Sequence, residues 1–100
     1  VRVRVLYFEG CANSDETLEL VCRVASAQGV DAPIEFLEVR SLEEAIHLRF
    51  LGSPSVQIDG VDVDPAARNR ADFGFACRLY GNSGVPPAEM IAVAIREALA

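Results

Sequence analysis

Three cysteines and a single histidine carry the reactive side chains of this sequence, and Cys11 stands where a strand should give way to a helix. In Leu6-Tyr7-Phe8-Glu9-Gly10-Cys11-Ala12-Asn13-Ser14-Asp15-Glu16 an apolar run ends at glycine, and a polar cluster that starts helices follows. The first N–H groups of a helix have no partner within it, and the aligned peptide dipoles add partial positive charge there, so a thiolate at Cys11 is favoured. Asp15 and Glu16 bring negative charge to the same turn, so this support is expected to be modest.

The other two cysteines differ in what they could do. Cys22 follows Cys11 by eleven residues on the same expected helix, roughly 16 Å along its axis, whereas a disulfide needs Cα atoms within about 7 Å. Its place in the stripe Leu18, Val21, Cys22, Ala25 predicts a small buried side chain without chemistry. Cys77, in Phe75-Ala76-Cys77-Arg78-Leu79-Tyr80, is expected on a late strand, either inward and alternating with Arg78 or serving as a second functional thiol.

The remaining candidates are weaker. His47 lies alone between apolar residues of a short helix and reads as a boundary residue. Asp59, Asp62 and Asp64 lack the order and the closing Glu of a calcium loop, and read as turn chemistry on a solvated strand face. Arg68, Arg70 and Arg78 could attract an anionic ligand such as a glutathione carboxylate, against the ordinary alternative of a charged surface.

Hydrophobic patterning supplies the elements that must position these groups. Val1, Val3 and Val5 alternate with Arg2 and Arg4 and run into Leu6-Tyr7-Phe8, a strand entering a buried sheet. A helix capped by Asn13, with Glu16 three residues on, should run to Gln28-Gly29, and a second strand should span Ile34 to Val39. Ser41 and Glu44 start a short second helix that ends by Gly52. Ser55-Val56-Gln57-Ile58 and Val61-Asp62-Val63 flank Asp59-Gly60, a two-residue hairpin turn. Phe73 to Tyr80 reads as a further strand or strand edge, and Pro87 opens a last helix with Met90, Ile91, Ala94, Ile95, Ala98 and Leu99 at helical spacing. The expected class is α/β, one domain over residues 1–100, with a small mixed four-stranded sheet flanked by helices.

Composition narrows the partners. The formal charge is -6, and all nine cations are Arg, with no Lys, which works against nucleic acid or anionic lipid. No run approaches the roughly eighteen apolar residues of a membrane span. Three cysteines without framework spacing, and no charged-then-apolar leader, predict a reducing, cytoplasmic setting.

The order strand, Gly10-Cys11, helix, strand, helix, Gly52-Ser53-Pro54, hairpin, helix resembles the thioredoxin-like superfamily over essentially the whole chain. Two segments carry the likeness: Cys11 at a helix start, and Gly52-Ser53-Pro54-Ser55-Val56-Gln57-Ile58-Asp59-Gly60, similar to that superfamily's cis-proline loop. The resemblance implies that Ser53 and Pro54 flank Cys11, with Ser53 offering backbone hydrogen bonds to an incoming thiol or peptide. The motif Cys11-Ala12-Asn13-Ser14 has a hydroxyl where thioredoxins carry a second thiol, so a dithiol cycle within it is impossible. Ser14 would instead donate to the thiolate, as in monothiol members, and Cys11 would form mixed disulfides with glutathione or a protein partner.

In this fold Cys77 could lie near the proline loop, and a Cys11–Cys77 pair could form a redox disulfide or capture a soft metal ion. These two segments also resemble the active segments of alkylmercury lyases, which implies mercury as the ion and a carboxylate as proton donor. That family has Asp three residues after its first cysteine; here Ser14 stands there and Asp15 follows. A third reading is an interaction module of the same fold whose cysteines do nothing.

Overall fold

The computed structural model of the chain covers residues 1–100. Alternation along β1 (Val3–Tyr7) decides the layering, because successive side chains of a strand point to opposite faces. Val3 and Val5 face one way. On that side they meet Val56 and Ile58 of β3 (Ser55–Ile58), Val21 and Ala25 of α1 (Ser14–Ala27), and Ile91, Ala94 and Ile95 of α3 (Ala88–Leu99). Leu6 points to the opposite face, where it packs with Val39, Phe50 and Ala45 of α2 (Leu42–Leu48).

The sheet order is β2-β1-β3-β4, with β2 spanning Ile34–Glu38 and β4 Val61–Asp62. β1 pairs parallel with β2, Val5 opposite Phe36, and antiparallel with β3, Val5 opposite Val56. β3 and β4 form the antiparallel hairpin, Gln57 opposite Asp62, around Asp59-Gly60. This is an α/β architecture with a mixed four-stranded sheet and three α-helices. No helix is long and apolar enough to cross a membrane.

Several local expectations are met and others corrected. Ser41 caps α2 by accepting a hydrogen bond from the Glu44 amide at 3.1 Å. Asn13 precedes α1 but makes no side-chain capping bond; its side chain lies against Gly84, so closely that a Cβ there would collide with it. The side chain thus packs across to the Gly84 turn instead of folding over the start of its own helix. The segment Phe73 to Tyr80 is not a regular strand; only the isolated bridges Ser53–Cys77 and Tyr80–Ser83 form along it. Residues 65–67 form a single 3-10 turn, with Asp64 capping the Ala66 amide at 3.0 Å.

The buried face of α1 runs through Ser14, Thr17, Val21 and Ala25, with Leu18 partly buried at its edge and packed against the core. Cys22 lies about 100° round the helix from Val21, and the face is centred on the side of Ser14 and Thr17, which a count of apolar residues leaves out. Cys22 is therefore exposed, contrary to the expectation of a buried one.

Candidate functional site

Cys11 occupies the loop between β1 and α1 and is partly exposed. Its amide donates to the Phe8 carbonyl at 3.3 Å, closing a turn that starts at the strand end. The hydroxyl of buried Ser14 donates to the Cys11 carbonyl at 3.1 Å. That single proton is thus on the cysteine's main chain, and Ser14 holds the Cys11 backbone against the first turn of α1. The first bond from this turn back across the helix start is from Thr17 N–H to the Asn13 carbonyl at 3.1 Å, and no side chain caps the amides before it. Open donors therefore remain at the first turn of α1, three residues after Cys11.

The Ser53-Pro54 peptide is cis, as the likeness to a cis-proline loop implies. Ser53 is tied to the cysteine loop: its Oγ accepts from the Phe8 amide at 3.2 Å, three residues before Cys11. The backbone of Ser53 is engaged elsewhere. Its N–H donates to the Ala76 carbonyl at 2.9 Å, and its carbonyl accepts from the Arg78 amide at 3.0 Å. One N–H has one proton, so the main-chain pairing expected for an incoming partner is occupied by the protein's own residues 76–78. Pro54 is fully buried and its carbonyl accepts from the Tyr80 hydroxyl at 2.7 Å. Neither residue presents itself to solvent.

A buried polar cluster anchors this loop. Arg78 grips Asp62 through two bonds, 2.6 and 2.8 Å, and donates to Ser55 Oγ at 3.0 Å. Both partners of the ion pair are buried, Arg78 at 6% and Asp62 at 7% exposure. Burial works against the guanidinium's charge, but the Asp62 hydrogen bonds and nearby negative charge outweigh it and hold the group above its ordinary range. The guanidinium also lies 4.6 Å from the centre of the Tyr80 ring, whose phenol burial pushes well up, keeping it a neutral donor. Asp62 was expected on a solvated strand face and Arg78 outward; both expectations are overturned, because each supplies the countercharge that makes the other's burial tolerable.

Cys77 is correspondingly exposed. Alternation turns it outward when Arg78 turns in, so of its two expected orientations the inward one fails. It sits opposite Ser53 in the bridge and so belongs to the same cluster of loops as Cys11. His47 is exposed on α2. No three His, Cys, Asp or Glu side chains converge in a metal-holding group.

An open groove of about 780 Å³ passes this loop, lined by Tyr7, Phe8, Gly10, Ser14, Arg40 and Phe75, among others. Gly10 and Ser14 bracket Cys11. Phe8, Phe50 and Phe75 form an aromatic cluster beneath it, with ring centres 6.1 to 6.4 Å apart. This cluster had no sequence signal beyond three scattered phenylalanines.

The chain matches no family model, no curated protein and no solved structure.

Gly52, next to the loop, has φ +122°, and a Cβ there would lie 2.6 Å from the Ala76 carbonyl oxygen. Gly52→Ala is expected to destabilise the protein by about 2 kcal/mol or more and to loosen residues 76–78. Urea unfolding with hydrogen exchange at the Ser53 and Arg78 amides measures both.

Proposed function

We propose that this is a small thioredoxin-like thiol protein in which Cys11 is the nucleophile of thiol-disulfide exchange. The observation that carries the reading is the Ser53 Oγ to Phe8 N bond, which joins the proline loop to the loop holding a partly exposed cysteine at a helix start. The element order, with β1-α1-β2 parallel and β3-β4 antiparallel ahead of α3, supports the fold side of it.

In the exchange, the Cys11 thiolate attacks one sulfur of a partner disulfide. A mixed disulfide forms, the partner's other sulfur leaves as a thiolate and takes a proton from water, and a second thiol, such as glutathione, releases the product and restores Cys11. Since the Ser53 backbone is taken, the partner would lie in the groove. That groove combines aromatic walls with Glu9 and with Glu38, which is already paired to Arg40 at 3.3 Å. Its surplus of negative charge favours a protein disulfide flanked by apolar or basic residues over the disulfide of the anionic tripeptide glutathione as the first partner.

Cys22 is an internal reference, exposed on the same helix but away from its start. The helix-end field is worth roughly 0.3–1 kcal/mol, so iodoacetamide should alkylate Cys11 about two- to fivefold faster than Cys22 near neutral pH. Peptide-resolved mass spectrometry gives the ratio, and a Cys11 rate at or below that of Cys22 would remove the reading.

A second reading is favoured by one observation, the exposed Cys77 paired to Ser53 through its main chain. Here Cys11 and Cys77 capture mercury as a substrate, two thiolates suiting a soft ion. Organomercurial cleavage would add protonation of the carbon as the carbon–mercury bond breaks, the mercury staying on sulfur, with exposed Asp15 as the nearest carboxylate in sequence to Ser14. Cys77→Ser should then abolish tight mercury binding and Cys22→Ser leave it intact; equal affinities by competition titration exclude this reading.

A further inference from the structure

Seven of the nine arginines are in ion pairs; Arg23 and Arg49 are not. Arg23 is exposed on the flank of α1, whereas Arg49 lines a cavity of about 260 Å³ between the end of α2, β4 and Phe73. We propose that this cavity binds a small organic anion, with Arg49 as the residue that grips its carboxylate or phosphate group. The site is separate from Cys11 and does not rest on the thiol reading.

Arg49 is presented for such a role. Its guanidinium lies 5.0 Å from the centre of the Phe73 ring, and stacking on an aromatic face leaves the planar fork of donors at the rim free for a bidentate acceptor. Its backbone stands in the left-handed region, φ 56°, at the position after a helix where glycine or asparagine is usual. The turn is held from both sides, by Phe50 N–H to the Ala45 carbonyl at 2.8 Å and Gly74 N–H to the Phe50 carbonyl at 3.0 Å. The second bond fixes the Phe73 segment beside Arg49.

The charge around the cavity also selects an anion. Arg68 and Arg70 line it with Arg49, and its one acidic lining residue, Asp62, is neutralised from behind by Arg78. Arg68 is paired to Glu97 at 3.2 Å and Arg70 to Asp72, so Arg49 is the one lining cation without an ion pair, a local attraction on a chain of net charge -6 that otherwise repels anions. Arg68 is held in place by its Nε bond to the Asp62 carbonyl, 2.8 Å. Arg70 is paired with exposed Asp72, from which an incoming anion can compete for it. Leu51 and Phe73 give an apolar wall for the body of the ligand. The volume is near the small end of ligand pockets, roughly 300–1,000 Å³, which restricts the ligand to a small molecule.

The test is isothermal titration calorimetry at low salt with two probes, pyrophosphate and citrate. One or both should bind at a single site, and the stronger names phosphate or carboxylate as the preferred group. Arg49→Asn, which keeps a residue tolerant of the left-handed turn, should weaken binding by about tenfold or more with an unchanged circular dichroism spectrum. Arg49→Lys should recover only part of it, because the fork is lost. Arg70→Gln, with no role in the helix end, should also weaken binding, while Arg23→Gln should not. Equal affinity in Arg49→Asn and Arg23→Gln, or no saturable binding of either probe to the unaltered protein, overturns the proposal.

Discussion

Asp62→Asn is expected to destabilise the protein by about 3–5 kcal/mol, the range for breaking a buried ion pair from one side. The amide retains the shape of the carboxylate but not its charge, so Arg78 would be left buried at 6% exposure with no countercharge. Typical domains are stable by only about 5–15 kcal/mol, so the loss would be a large share of the total. It would also spread: Arg78 bonds Ser55, stacks on Tyr80 and pairs its amide with Ser53, so the proline loop and residues 76–78 should loosen together. Urea denaturation monitored by circular dichroism gives the first quantity, and hydrogen exchange at Ser53 and Arg78 the second.

The double replacement Asp62→Leu with Arg78→Met separates charge from shape. Removing both ions together is often neutral or stabilising when apolar groups fill the space, so the pair should recover most of the stability lost by Asp62→Asn. A single replacement that costs less than about 1 kcal/mol, the ceiling for exposed pairs, would mean that the pair is solvated in solution.

Cys11→Ser is expected to abolish mixed-disulfide formation at the helix start, the largest effect on activity. A hydroxyl does not displace a disulfide sulfur under conditions where a thiolate does, so any remaining exchange would report Cys77 or Cys22. Stability should change little, since Cys11 is only partly buried and its structural bonds come from the main chain: its amide to Phe8 and its carbonyl to Ser14. Reaction with oxidised glutathione followed by intact-mass measurement gives the adduct yield. A Cys11→Ser protein that still forms adducts at the original rate would move the activity to another cysteine or dispose of it. Ser14→Ala differs in kind: it would free the Cys11 carbonyl and let the loop shift, so it tests positioning and not chemistry.

The strand, helix, strand, helix, hairpin, helix order was legible because each element carries a signal of its own period. Alternation marks β1, the spacing of Ile91, Ala94 and Ile95 marks α3, Ser41 with Glu44 marks the start of α2, and Asp59-Gly60 marks the hairpin. The site was legible in part. Cys11 was placed by the glycine and polar cluster around it, but the roles of its neighbours were not: Asn13 is drawn away to Gly84, and the Ser14 proton lies on the Cys11 carbonyl.

Misplacements share one cause, long-range partners that a short window does not contain. Cys22 reads as buried because Leu18, Val21 and Ala25 surround it in sequence, yet α1 packs through Val21 and Ala25 against the sheet and α3 with Thr17 buried on the same side, and Cys22 is left outside. Arg78 looked exposed because arginine usually is, and its partner Asp62 lies sixteen residues earlier on another element.

Local patterning thus established the elements, their order and a thiol at a helix entrance, since those depend on interactions between residues a few positions apart. The burial of Arg78 with Asp62, the occupation of the Ser53 backbone by residues 76–78 and the gathering of Arg49, Arg68 and Arg70 around one cavity followed from the path of the folded chain. Each of these requires groups distant in sequence to meet, and their charges and hydrogen bonds acquire a partner only when the sheet and loops bring them within reach.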